Sequence, residues 1–345
     1  MTKKCICSLL QVFILSLLFS CNDTHKQNGT KPTQQKIPQE IVEWFEAWQL
    51  VSAELDLQDS INPVDFIFFD DSLVYTTSTT STSKSKAIDG PSLAGRKTKW
   101  LVQPHFNQIF LPDGQILQPG IYSFAAPGKN GKPFFVMPLL SYWKQKGVES
   151  NELGLNKLVT GIFLHEFSHS QQMKGLGKLA NELEAQHSYD VEFTDNIIQD
   201  YFVDDSAYKK LFSEEITLFY KAFEEGTAQQ FLQQKDSALR ILQKRHDRYL
   251  KEKGAHFIQL DNLFLTMEGL GQYLMYKWLV HPEGGGIDNR TALAGVRRGG
   301  KNWSQEEGLA LFLCMERMKQ SNDWIKHFFD RSNQYITSLF ATQNK

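Results

Sequence analysis

The sequence lacks a charge excess of either sign. Its 37 Lys+Arg offset 39 Asp+Glu, leaving a formal net charge of -2. Nothing in that balance gives the whole protein an electrostatic footprint for nucleic acid, so no nucleic-acid partner is expected. Long apolar runs are also missing: none approaches the roughly 20 residues that a helix needs to cross a bilayer. Cysteine is scarce, with Cys5, Cys7, Cys21 and Cys314 as the full set. No internal repeat is present. Gly284-Gly285-Gly286 has no Gly-Lys-Ser/Thr context, so it reads as a loop rather than a phosphate cradle. Aromatic and apolar residues are plentiful, at 12% and 41% of 345 residues. That content excludes a disordered chain and gives ample length for a core.

Lys3 and Lys4 precede an apolar stretch over residues 5–19. It is too short for a membrane span and the right length for the apolar part of a signal. It ends in Leu18-Phe19-Ser20-Cys21. This resembles the lipobox of bacterial lipoproteins, with Phe19 where a small residue is usual. The resemblance implies a signal peptide over residues 1–20, cleavage before Cys21 and a lipid on Cys21. The protein would then be held at the membrane in the cell envelope. Asn22, in place of the Asp that favours inner-membrane retention, makes the outer membrane the preferred location. Residues 21–36 are polar and aperiodic, as a flexible tether would be. Cleavage removes Cys5 and Cys7, and lipid caps Cys21. Cys314, alone in an apolar helical pattern, has no disulfide partner.

Residues 37–345 read as one α+β domain, sheet-rich over 37–150 and helical over 151–345. Pro38 opens a helix with Ile41, Trp44, Phe45, Trp48, Val51 and Leu55 at the 3.6-residue period. Residues 65–75 predict a hairpin about Asp70-Asp71-Ser72. Short strands are expected at residues 100–103, 108–111, 115–117 and 121–125. Residues 132–140 read as a further strand, and Pro138 argues for an edge position there. From residue 156 the pattern is helical, with a Gly-rich interruption over 281–300. Ser304 followed by Glu307 predicts a capping box.

The chemistry is concentrated in His165-Glu166-Phe167-Ser168-His169. On a helix, positions i and i+4 share a face, so both imidazoles aim at one point. Two neutral imidazoles suit Zn²⁺. Glu166 is turned about 100° from His165, placed to accept a proton from a zinc-activated water as general base. Leu158, Val159, Ile162, Phe163, Leu164 and Phe167 make the helix apolar nearly all round. Buried charge in such a helix calls for a partner or a metal.

This segment resembles the H-E-x-x-H zinc metallopeptidases, the zincins. The resemblance implies a sheet before the helix, with an edge strand that holds the substrate; residues 132–140 would match it. It also implies three protein ligands and one open coordination position. The metzincin branch is excluded, because Gln172 and Gly175 stand where it needs Gly and His. The gluzincin branch, with a Glu from a later helix as third ligand, remains. Glu268 is favoured. It is the only charge in the apolar stretch 263–276, and it is followed by Gly269 and Gly271. Those glycines cost helix stability, which fits a close approach of another backbone or a metal. The stretch also resembles the E-G-x-A helix of several gluzincins. Glu192, Glu225 and Glu182 are the alternatives, all in polar surroundings. Asp190 or Asp195 could take the second N–H of a ligating His. Tyr273, Tyr276, His187 and His246 are candidate oxyanion stabilisers.

The expected activity is zinc-dependent hydrolysis of a peptide or protein substrate by a membrane-anchored metallopeptidase. One alternative is a non-catalytic envelope protein with a structural or vestigial metal site. Another is a zinc amidase acting on a non-peptide or cell-wall amide.

Overall fold

The computed structural model describes residues 36–79, 85–319, 321–329 and 334–341. The expected signal peptide, Cys21 and all of the expected tether but Lys36 lie outside the described residues. The chain is α+β, with the sheet in the N-terminal half and helices after it. The strands are β1 (Asp65–Phe69), β2 (Leu73–Thr76), β3 (Lys86–Ile88), β4 (Trp100–Pro104), β5 (Ile109–Phe110), β6 (Ile116–Leu117), β7 (Phe124–Pro127) and β8 (Pro133–Pro138). The helices before the Gly-rich segment are α1 (Gln39–Glu54), α2 (Leu140–Gln145), α3 (Leu155–Gln172), α4 (Leu176–Gln186), α5 (Ile197–Phe202), α6 (Ser206–Glu224), α7 (Ala228–Arg245), α8 (Lys251–Lys253) and α9 (Ala255–Val280). A π-helical turn, His246–Leu250, joins α7 to α8. Then come α10 (Asn289–Arg297), α11 (Trp303–Met318), α12 (Asp323–Lys326) and α13 (Ile336–Ala341).

The main sheet has the order β3-β4-β2-β1-β8-β7. β1 and β8 are parallel, and the other neighbours are antiparallel. The predicted hairpin is β1–β2, and Asp70 closes it by accepting from the amides of Ser72 and Leu73. One expectation is overturned: β8 is not an edge strand but lies between β1 and β7. Its two prolines sit at its ends, where a missing N–H costs little ladder pairing. Its middle residues are buried on both faces. Phe135 and Met137 point to the helices, while Phe134 and Val136 point to the opposite side. That second side is covered by the β5–β6 hairpin through Ile109, Leu111 and Leu117. The edge strand beside α3 is therefore β7, with β3 at the far edge.

Three layers position the site. The sheet carries α3 through an aromatic seam, with Phe163 5.7 Å from Phe135 and Phe167 5.7 Å from Phe66 between ring centroids. α1 closes the flank, as Trp44 stacks on Phe163 and Trp48 meets Phe167 edge-on. The far side of α3 lies on α9, which is buried along most of its 26 residues. α11 packs on α9 in turn. At that crossing a Cβ on Gly269 would stand 2.5 Å from the Gly308 carbonyl carbon, so only glycine pairs allow this approach.

Two smaller expectations also fail. The Gly-rich interruption contains α10, capped by Asp288 and buried through Ala292, Leu293 and Val296. The Ser304–Glu307 capping box does not form: Asn302 is the N-cap of α11, without a side-chain cap. Glu307 turns inward to a stronger partner. Arg245 reaches it at 2.7 Å and Glu215 at 2.6 Å, and also donates to the Tyr208 hydroxyl. All three side chains are essentially solvent-free and tie α6, α7 and α11 together. Replacing Arg245 leaves two buried carboxylates facing each other. Arg245→Met is expected to cost about 3–5 kcal/mol in urea unfolding. A loss under about 1 kcal/mol would show that the carboxylates relax by taking up protons or water.

Candidate metal centre

α3 presents His165 and His169 one turn apart on its α9-facing side. Their Nε2 atoms are 3.0 Å apart, with ring planes at 87°. From α9, Glu268 spans the pair. Its Oε2 lies 3.2 Å from His165 Nε2, and its Oε1 lies 3.2 Å from His169 Nε2. Exposure is 1% for each histidine and 0% for Glu268. Among the described residues, this trio could hold a metal ion, with its ligand atoms all within 4.8 Å of one another. Of the four glutamates weighed from sequence, the fold brings Glu268 to the histidines. Glu182 is exposed and pairs with Lys178 at 3.5 Å. Glu192 is exposed, and Glu225 ends α6 as its C-cap.

The glycines beside Glu268 have distinct jobs. Gly269 permits the α9–α11 crossing. Gly271 makes room for the ligand itself, because a Cβ there would stand 2.5 Å from His165 Nδ1. Gly271→Ala must therefore push the ring aside. It is expected to weaken metal binding by about tenfold or more, the scale of a disturbed ligand surround. Unchanged affinity in the folded variant would mean that His165 does not bind metal in this rotamer.

The donor set fits a divalent ion. Two ligands about 2.1 Å from one ion at a tetrahedral angle are themselves about 3.4 Å apart, close to the spacings seen. The charges point the same way. Glu268 is held well below the ordinary carboxylate range: burial pushes it up, but the charge and hydrogen bonds of His169 and His165 outweigh that. Burial lowers His165. Burial also pulls His169 down, yet the Glu268 carboxylate raises it overall. Glu166 is fully buried, and neither carboxylate oxygen has a hydrogen-bond partner. Burial first, then Glu268 and Asp195, push it well above its ordinary value. Asp195 is raised by burial and by Glu268, and its Oδ2 has no partner either. Of the three buried carboxyl groups, Glu268 is the one held ionised, and it is the one that faces both imidazoles.

The surroundings differ in part from the sequence reading. His169 Nδ1 lies 3.3 Å from Gln172 Oε1, an arrangement that puts its proton on Nδ1 and leaves Nε2 to ligate. Asp190 is exposed and does not take that role. Asp195 is buried and acts on the site through its charge. Of the candidate oxyanion stabilisers, the two histidines have other partners, and the two tyrosine rings pack in the core. His246 pairs with Asp261 at 2.7 Å, and His187 stacks on His256. Tyr273 packs on Phe312 and Tyr276 on Phe223. Arg298 is a half-buried residue in the left-handed region at the end of α10. Its charge contributes to lowering His165. Two further groups were not anticipated, Gln272 and Gln305. Gln305 donates to Glu268 at 3.1 Å. A lone Gln in the apolar run of α9 was the available signal for Gln272; nothing marked Gln305.

Compared with protein-family models, with curated proteins and with solved structures, the chain matches none.

Proposed function

We propose that this protein is a zinc-dependent hydrolase of peptide or related amide bonds. The observation that carries the reading is the buried His165–His169–Glu268 triangle with Glu166 adjacent in sequence and unpartnered. Two imidazoles and one carboxylate are the donor set of a three-ligand catalytic zinc, and the Irving–Williams competitor copper would favour a tetragonal arrangement. Zinc there would supply Lewis acidity, polarising a carbonyl and acidifying water. Glu166 would take the proton that water loses on adding to the carbonyl carbon. The same carboxyl would then pass that proton to the amide nitrogen as the C–N bond breaks. Its apolar surroundings raise its affinity for a proton, which suits a base that must later act as an acid.

The complete burial of the four side chains favours a second reading, a non-catalytic binding protein with a structural metal. The two readings differ in products. Zinc-loaded full-length protein, incubated with a mixed peptide library, is expected to create new termini detectable by mass spectrometry. A zinc-loaded sample that cuts no peptide and no cell-wall amide would favour the structural reading.

A further inference from the structure

Glu268 reaches His165 and His169 from a different helix, so its carboxylate needs a support that α3 does not supply. That support lies on α11. Gln305 Nε2 donates to Glu268 Oε2 at 3.1 Å. Gln305 Oε1 accepts from Gln272 Nε2 at 2.6 Å and from Asn302 Nδ2 at 3.1 Å. Gln305 and Gln272 are 5% and 2% exposed.

The direction of this chain of amides follows from the carboxylate outward. An ionised Glu268 can only accept, so Gln305 must turn its NH₂ toward it. The Gln305 carbonyl then faces away and needs donors. Gln272 and Asn302 provide two, one for each lone pair. The whole relay thus has one hydrogen-bonded state. Helix geometry sets it up. Gln272 is one turn after Glu268 on α9, so both side chains share a face. Glu268 and Gln305 flank the Gly269–Gly308 contact, where α9 and α11 come close enough for a direct amide-to-carboxylate bond. Asn302 belongs to the loop after α10, which Gln199 of α5 holds by donating to the Lys301 carbonyl and accepting from the Trp303 amide.

We propose that Gln305 is the positioning residue for the third metal ligand. It holds the Glu268 carboxylate in one rotamer, and Gln272 and Asn302 lock it in turn. This rests on the metal-centre reading above. It adds that metal affinity and coordination geometry are set in part from α11 and the loop before it.

The test uses full-length protein and two readouts: zinc affinity by competition with a chromophoric chelator, and the visible absorption of the Co²⁺-substituted protein. Gln305→Met keeps the volume and removes the donor. It is expected to bind zinc about 10–100-fold more weakly, the scale of a lost outer-shell partner. Its Co²⁺ bands should also change in position and intensity. Gln272→Leu should give a smaller loss of the same kind, and it stands in if Gln305→Met does not fold. A folded variant with the parent's zinc affinity and Co²⁺ spectrum overturns the role of Gln305 while leaving the metal centre intact. A parent that binds neither ion overturns the metal centre itself, and the Gln305 role with it.

Discussion

Glu166→Gln is expected to keep zinc and lose hydrolysis. The two side chains have the same shape, and Glu166 makes no hydrogen bond whose loss could disturb α3. Neither Glu166 oxygen belongs to the ligand triangle of His165, His169 and Glu268. The amide keeps the volume but has no useful affinity for a proton. A positioned acid–base group is worth about 10²–10⁴-fold in rate, so activity should fall by that factor. Zinc stoichiometry and the thermal midpoint should stay near parent values, because the amide keeps the volume and no hydrogen bond of Glu166 is lost. Activity within a few-fold of the parent would reject Glu166 as the base. Loss of zinc together with activity would instead place Glu166 among the ligands.

Glu268→Ala is expected to abolish tight zinc binding. The substitution removes the only carboxylate in the triangle and leaves a two-imidazole site. The loss should exceed the roughly 10–100-fold that an outer-shell change costs. Ligand that binds only the folded state raises stability by RT ln(1 + [L]/Kd), about 2.7 kcal/mol at 100 Kd. Added zinc should therefore raise the parent's melting temperature, and a chelator should reverse it. Neither addition should move the variant. A variant that is still stabilised by micromolar zinc would place the third ligand elsewhere, with Asp195 a buried carboxyl group that already acts electrostatically on His169.

The parts of the fold that could be read from sequence are those in which local chemistry and tertiary role coincide. His165 and His169 were legible because i,i+4 spacing on an apolar helix is itself the geometry of a shared ion. Glu268 stood out as the one charge in the apolar run that became α9. Gly269 and Gly271 announced close approaches, and both occur, against Gly308 and against His165. The β1–β2 hairpin was marked by Asp70, whose carboxylate closes the turn. Elsewhere a local signal lost to a tertiary partner. Pro138 suggested an edge strand, but it ends β8, where the ladder does not need its N–H. Glu307 suggested a cap, yet the buried Arg245 guanidinium is a better partner than a backbone amide. α10 was hidden by glycines on either side, although Asp288, Leu293 and Val296 carried its cap and its apolar face. Gln305 could not have been picked out. It is an ordinary polar residue at a helix start, and its importance comes from where α11 crosses α9.

The most direct test of the central claim is X-ray absorption at the zinc edge on the full-length protein. The account predicts one zinc per chain, with two imidazoles and one carboxylate as its protein ligands. A single light, exchangeable solvent atom would complete the shell. Four protein ligands, a sulfur neighbour, or no zinc after reconstitution would contradict it.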